Sequence, residues 1–391
     1  MKIKVIPEDF IVEEIVNYPI KSEGKYAIFK LKKRYWETFS LLNRIEKDTG
    51  MKKEFIHLAG IKDRYGLTTQ LIAVNKEYAI CKSFSGSNYS LEFLGFGDEK
   101  LTASHIVKNR FTIVLRDIKV NDVQKIEEAI NQVKNYGFPN YYDEQRFGSA
   151  RHRKGFAGKE LFLKNYENAL FLLVATPSGY DDRKTREFHK FVRENWGNWK
   201  SCLEKSFFEY KAVFRALIKQ PKNFLYALQK LDKRFLVLLV NAYQSFLWNE
   251  YVALYLKSIL KNTKDEIYEY PYLLGKFLFY RTLDKKVKDY LIQKTIPVIK
   301  KGTKISDKRL RSAISKVLRK EGIKKSDLSV KSLHIRLQEK ERKLIIVPEH
   351  LEILEIAPDE RYKNRMKIKF LLELPRGSYA TIFIKRITPI K

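Results

Sequence analysis

The order in which hydrophobic periodicity changes along the chain restricts its fold more than any other feature. Strand-period segments open it, helix-period segments fill its middle, and strand-period segments return at its end. In "DFIVEEIV" and "KYAIFKLKKR" apolar and polar residues mix at the alternation a half-buried strand requires. "RFTIVLRDI" reads as another strand, and "NDVQKIEEAINQVKNYG" behind it sets Val123, Ile126, Ile130 and Val133 at helical spacing, with Gly137 at its end. In "YWETFSLLNRIEKD", Thr38 is expected to cap a helix carrying Leu41, Leu42 and Ile45 on one face. Strands and helices in this alternation indicate a mixed α/β domain of the α+β type over residues 1–155.

Beyond "RHRKGFAGKELFLKNYENALFLLVATPS" the pattern turns largely helical, with "TREFHKFVREN", "LYALQKL" and "FLVLLVNAYQSFLWNEYVALYLKSIL" as candidate helices. The intensely basic stretch "IPVIKKGTKISDKRLRSAISKVLRKEGIKKSDL" suits a separate, partly helical module. From Ile346 the reading returns to strands in "LEILEIAPDE", "KNRMKIKFLLEL" and "YATIFIKRI", the last two expected to form a hairpin linked by "PRGS". A sheet that resumes after so long an interruption is what a domain split by an insertion looks like in one dimension.

A length of 391 residues accommodates two or three domains. An apolar share of 44%, with 25 Phe and 23 Tyr, excludes disorder over most of the chain. No uninterrupted apolar stretch could span a bilayer, and "MKIKVIPEDFIVEEI" lacks the apolar core of an export signal. Two cysteines, Cys81 and Cys202, make neither a disulfide scaffold nor a usual structural zinc site, so reduced core thiols and a cytoplasmic location are expected. The formal charge of +31 attracts polyanions, and nucleic acid is the partner that best explains it. Lysine enrichment of the kind seen in some thermophiles is the plainer contribution to the same number.

No dinucleotide or phosphate-loop glycine motif is present, and six dispersed histidines are a poor source of metal ligands. Four dense polar clusters remain. In "AGIKDRYGLTTQ", Asp63 lies between Lys62 and Arg64, where a carboxylate can stay ionised and act as a nucleophile; a turn joining two strands is the plainer reading. In "KNRF", Arg110 could bind phosphate or pair with Asp63, or be an ordinary paired cation. "FPNYYDEQRFGSARHRKG" interleaves Tyr142 and other aromatics with Asn140, Gln145, Arg146, Arg151, Arg153 and Lys154. Aromatics hold an unstacked base, amides read its edge and cations hold its backbone; a core strand followed by a basic turn is the alternative. "LPRGSYATIFIKRI" is the fourth.

Taken in order, "KVIPEDFIVEE", "AGIKDRYGLTTQ", "KNRF", "PNYYDEQRFG", "NAYQSFLWN" and "LPRGSYAT" resemble the TruD family of tRNA pseudouridine synthases along essentially the whole chain. The resemblance implies a pseudouridine-synthase catalytic domain with a mixed antiparallel sheet, formed by residues 1–157 and 346–391. A largely helical α/β insertion, residues 158–345, would interrupt it. It implies conversion of uridine to pseudouridine at position 13 of tRNA, without cofactor or metal. Asp63 becomes the nucleophile, Lys4 its cationic partner, Phe10 a neighbour of the everted base, and Asn140 a contact of the uridine or an orienting group for Asp63. Three departures, in two motifs, stand out. "NYYDEQRFG" has Tyr142 where the family has Phe at a base-stacking position, and Asp143 where it has Gly; Lys108 replaces the Gly of "GNRF".

Isomerisation breaks the bond from C1′ to N1, turns the base and joins C1′ to C5, so the uridine must leave its stack. Asp63 either attacks C1′ or removes the 2′ proton, and the base that takes the C5 proton has no assignment in the sequence. A noncatalytic RNA-binding or RNA-folding protein on the same scaffold is the competing reading, although binding alone does not require Asp63, Lys4 and Asn140 together. A DNA-binding regulator would need a recognition helix and a symmetric dimer, neither of which is evident; a monomer without obligate protein partners is expected.

Overall fold

The structure is a computed structural model that describes residues 1–62, 64–80, 83–150, 152–261 and 266–389. The chain begins with strands β1 (Phe10–Val16) and β2 (Tyr26–Arg34), helix α1 (Thr38–Thr49), strands β3 (Ile56–Leu58), β4 (Leu67–Asn75), β5 (Ser83–Gly86), β6 (Tyr89–Gly97) and β7 (Ile106–Ile118), and helix α2 (Val123–Tyr136). Strand β8 (Phe138–Pro139) precedes helices α3 (Ala157–Phe162), α4 (Tyr166–Val174), α5 (Arg183–Glu194), α6 (Trp199–Lys205), α7 (Lys211–Lys219), α8 (Phe224–Leu228) and α9 (Lys233–Leu260). Then come β9 (Ile267–Tyr272), β10 (Gly275–Tyr280), α10 (Lys285–Gln293), β11 (Thr295–Pro297), α11 (Lys308–Lys320), β12 (Glu341–Lys343) and β13 (Ile345–Ile346). The chain closes with β14 (Glu349–Pro358), β15 (Met366–Pro375) and α12 (Ala380–Ile387). Among the described residues no helix is long and apolar enough to cross a membrane.

Two compact units result, residues 1–138 with 346–391 and residues 139–345. The first unit thus ends at residue 138, and the boundary at 157/158 implied by the family resemblance lies within the second. The cause is Tyr141: its ring packs on Trp248, Phe277 and Phe279, and its hydroxyl donates to the Leu278 carbonyl at 3.0 Å, which ties the segment after β8 to α9 and β10.

The first unit is built on one mixed sheet in the order β14-β15-β7-β1-β4-β2-β6-β5, with β3 added beside β4. β1 and β4 run parallel and the other pairs antiparallel. Strand alternation divides its side chains. Phe10, Val12 and Glu14 stand level with Ile113, Phe111 and Asn109 on one face; Ile11, Glu13 and Ile15 stand level with Thr112, Arg110 and Lys108 on the other. Leu41, Leu42 and Ile45 of α1 join Phe29, Leu31, Ile72 and Val74 in a buried cluster. The helix is capped by Glu37 and not by Thr38. The Glu37 carboxylate accepts from the amides of Phe39 and Ser40 at 3.0 and 2.7 Å, bringing a negative charge to the helix start, while the Thr38 hydroxyl bonds the Lys62 backbone.

The C-terminal hairpin is β14 with β15, and "YATIFIKRI" is helical. Ala380, Phe383, Ile384 and Ile387 also fall at the helical i, i+3, i+4, i+7 spacing, and Phe383 packs edge-on against Phe370 of β15 at 5.4 Å. In the second unit, α9 buries residues along its length, from Leu236 to Leu260. The basic stretch is no separate module: α11 buries Leu310, Ala313, Ile314, Val317 and Leu318 and packs on α9.

Candidate functional site

Asp63 and Arg151 lie outside the described residues, as does Cys81, so the surroundings of the expected nucleophile are read from its neighbours. On its N-terminal side, Lys62 turns inward. Its ammonium pairs with Glu14 at 2.5 Å and donates to Asn109 Oδ1 at 2.7 Å, with both charged side chains almost wholly buried. Burial pushes the Glu14 carboxyl up from its ordinary value, and the Lys62 ammonium opposes that shift without cancelling it. The Lys62 carbonyl, one half of the peptide bond to position 63, receives bonds from the Thr38 hydroxyl at 3.3 Å and from Lys33 Nζ at 3.4 Å. Lys33 is only 2% exposed, and its ammonium also donates to the Trp36 carbonyl at 2.8 Å.

On the C-terminal side, Gly66 lies against β1 so closely that an added Cβ would sit 2.5 Å from the Phe10 carbonyl oxygen. The Phe10 ring is buried edge-on to Phe111, and the Lys4 ammonium stands over it at 4.0 Å from the centroid. Lys4 itself holds a left-handed backbone, φ 58°, which costs a non-glycine residue energy and is retained only where surrounding contacts enforce it. Lys4 and Phe10, distant from the "AGIKDRYG" motif in sequence, are therefore brought together beside it.

Arg110 is elsewhere. It projects from the sheet face opposite Phe10, Glu14 and Asn109, where its Nε donates to Glu373 at 2.8 Å and its Nη1 lies 3.7 Å from Glu13. Adjacent strands place these three side chains level with one another, so Arg110 is the centre of a cross-strand ion ladder. Lys108 extends that ladder, with its ammonium 2.6 Å from Glu349 and 2.5 Å from Glu373. Glu349, His350 and Glu373 are also near enough to one another to ligate a metal, but this ammonium already lies against both carboxylates. The change from Gly to Lys at position 108 thus falls within a strand, not in a turn.

The second unit carries Asn140 and Tyr142. The Asn140 side chain is fixed at both ends: Oδ1 accepts from Arg342 Nη2 at 2.7 Å, and Nδ2 donates to the Lys343 carbonyl at 3.2 Å. The backbone of Tyr142 exchanges two bonds with the Asn249 amide of α9, at 2.9 and 2.8 Å. Its ring meets Trp248 edge-on, and the Arg342 guanidinium covers one of its faces at 4.2 Å. Asp143 is buried and does not adopt the left-handed backbone that would have favoured glycine. Arg146 reaches Ser245 at 3.4 Å, whereas Gln145, Arg153 and Lys154 are exposed.

Lys33 and Arg342 are among the residues of these groups that sequence alone does not single out. Lys33 left a signal, since it continues the buried series Phe29 and Leu31 on β2, but a lysine at the end of "KLKKR" is normally read as solvated. Arg342 left none, because its partners stand about two hundred residues away in the chain.

The family model described as "tRNA pseudouridine synthase D (TruD)" matches residues 1–387. The chain belongs to the TruD family. It is thereby an enzyme of the isomerase class, a pseudouridine synthase. "Probable tRNA pseudouridine synthase D 1" of Methanococcus maripaludis is 33% identical, with 99% of each chain covered. "tRNA pseudouridine synthase D" of Aquifex aeolicus is 31% identical over 99% of this chain and 98% of its own. A TruD crystal structure from Methanosarcina mazei superposes with a TM-score of 0.72 at 22% identity, covering 100% of this chain and 93% of that one, so the mixed-sheet fold is a TruD fold.

Proposed function

We propose that this TruD-family chain converts a uridine of tRNA to pseudouridine, at position 13, with Asp63 as the nucleophile. The observation that carries the reading is the unbroken family match over residues 1–387, which includes "AGIKDRYGLTTQ". The anchoring of the backbone on both sides of position 63, by Thr38, Lys33 and Lys62 before it and Gly66 after it, supports the same reading, because a nucleophile requires a fixed approach. By its family motifs the catalytic domain is residues 1–157 with 346–391 and the insertion residues 158–345, with residues 139–157 packing in the second compact unit, and the chain acts as a cytoplasmic monomer.

In this reading Lys4 keeps Asp63 ionised, Phe10 and Tyr142 recover by stacking part of the cost of everting the uridine, and Asn140 contacts the base or orients Asp63. Gln145, Arg146, Arg151, Arg153 and Lys154 hold the RNA strand. Arg110, committed to Glu373 and Glu13, is better suited to bracing the sheet. Asp63 either attacks C1′, displacing N1 and forming an ester that C5 later displaces, or takes the 2′ proton as the C1′–N1 bond breaks, giving a glycal to which that proton returns when C5 adds at C1′. The base turns in between, and the proton lost from C5 is balanced by one gained at N1. No atom is gained or lost. Asp63→Asn is expected to bind tRNA and form no pseudouridine. Normal pseudouridine formation by the variant, mapped on tRNA incubated with purified protein, removes Asp63 from the mechanism.

A further inference from the structure

We infer that Arg342 is a positioning residue for the isomerisation, acting through Asn140 and Tyr142; the inference rests on the function proposed above. One guanidinium makes all the relevant contacts. Its Nε donates to the Asn140 carbonyl at 2.6 Å, while Nη2 donates to Asn140 Oδ1 at 2.7 Å and to the Tyr141 carbonyl at 3.3 Å. Its plane lies over the Tyr142 ring at 4.2 Å and is 5.5 Å from the Trp248 ring. Asn140 is thus gripped by backbone and side chain at once, and β12, which carries Arg342, also supplies the Lys343 carbonyl that takes the other end of the amide.

The consequence is chemical. An asparagine amide that can rotate presents an acceptor or a donor with similar ease. With Oδ1 turned to Arg342 and Nδ2 to Lys343, the Asn140 amide has one orientation, and a single remaining N–H faces any further partner. The same guanidinium occupies one face of Tyr142 and so bars a base from stacking there. Lysine cannot reproduce this, because an ammonium is a point donor that neither spans two acceptors in a plane nor stacks on a ring.

The test measures pseudouridine formation on tRNA by wild type, Arg342→Lys, Arg342→Ala and Asn140→Ala, with circular dichroism and thermal unfolding to check the fold. Both Arg342 variants are expected to lose turnover at saturating tRNA by roughly 10- to 100-fold, the penalty of slightly misplaced contacts, with KM changed by less than about threefold. Millimolar guanidinium is expected to restore part of the turnover of Arg342→Ala and none to Asn140→Ala. Should Arg342→Ala fail to fold, Arg342→Lys carries the test by its turnover and KM alone. Wild-type turnover in either Arg342 variant, or equal guanidinium rescue of Asn140→Ala, overturns the positioning role. A loss confined to KM overturns it as well, by assigning Arg342 to RNA binding. Absence of pseudouridine with the wild-type protein refutes the proposed function instead, so the two failures are distinct.

Discussion

Lys62 adjoins the proposed nucleophile in sequence, yet its ammonium runs inward to Glu14 and Asn109. Its part is to fix the chain from beneath, and the pair it forms is buried enough for its removal to be costly. Lys62→Met leaves the Glu14 carboxylate without a cation and is expected to destabilise the protein by about 3–5 kcal/mol near neutral pH. The sign of the pH dependence follows from the raised Glu14 value. The folded state holds this proton at pH values where the unfolded state has released it, so the contribution of the group to stability improves as pH falls. Loss of Lys62 removes the opposing influence and strengthens that trend. Denaturant unfolding of wild type and Lys62→Met at about pH 8 and about pH 5 should show a smaller gap at the lower pH; a gap that widens there contradicts an orphaned carboxylate. The sequence singles out Asp63, Lys4, Phe10 and Asn140 as candidates because each lies in a short motif. It could not disclose the inward path of Lys62 or the grip of Arg342, since both depend on partners supplied by other strands.

Helix α11 depends on its first turn. The Asp307 carboxylate accepts from the Leu310 amide at 3.0 Å, the Tyr255 hydroxyl at 2.6 Å and Lys294 Nζ at 2.9 Å. Burial pushes this carboxyl up, but the Tyr255, Leu310 and Lys294 contacts outweigh it and hold the group well below the usual carboxylate range. Asp307→Ala removes the cap and is expected to cost about 1–2 kcal/mol. A lowered carboxyl contributes stability that is complete above the unfolded value of about 4 and is lost as pH falls toward the folded one. The difference between wild type and Asp307→Ala in denaturant unfolding should therefore shrink from about pH 5 to about pH 3; a constant difference would falsify the role of the ionised cap. Elements were legible where one period dominates, as in β2, β7 and α2. Periodicity does not decide α12, where "YATIFIKRI" satisfies both strand alternation and helical spacing and the helix packs on Phe370. Nor does residue type decide the cap of α1, where Glu37 and not the adjacent Thr38 accepts from the first-turn amides.

For the whole molecule, the return to strands after a helical middle did foretell a discontinuous first unit, because only the two ends together complete its sheet. The end of the first compact unit is set by packing that periodicity does not show, since Tyr141 belongs by sequence to a strand-like segment and by packing to the second unit. The charge of +31 has its physical meaning at this scale. In the second unit, Lys300, Lys301, Lys331, His334 and Arg336 ring a cavity of about 530 Å³ whose lining includes the apolar Leu328 and Ile335. Exposed Lys301, Lys331 and Arg336 lie far in sequence from the motifs that define the reaction, so they can contribute to holding tRNA without altering its chemistry. Contacts of this kind release counterions and steepen the salt dependence of binding by about 0.7–0.9 in log–log slope for each phosphate neutralised. The triple variant Lys301→Ala, Lys331→Ala, Arg336→Ala is expected to bind tRNA more weakly at low salt and to lose roughly 2 from that slope, while turnover at saturating tRNA is retained. A slope equal to that of wild type would remove this ring from the RNA-binding surface, and a fall in saturated turnover would show that it does more than hold phosphate.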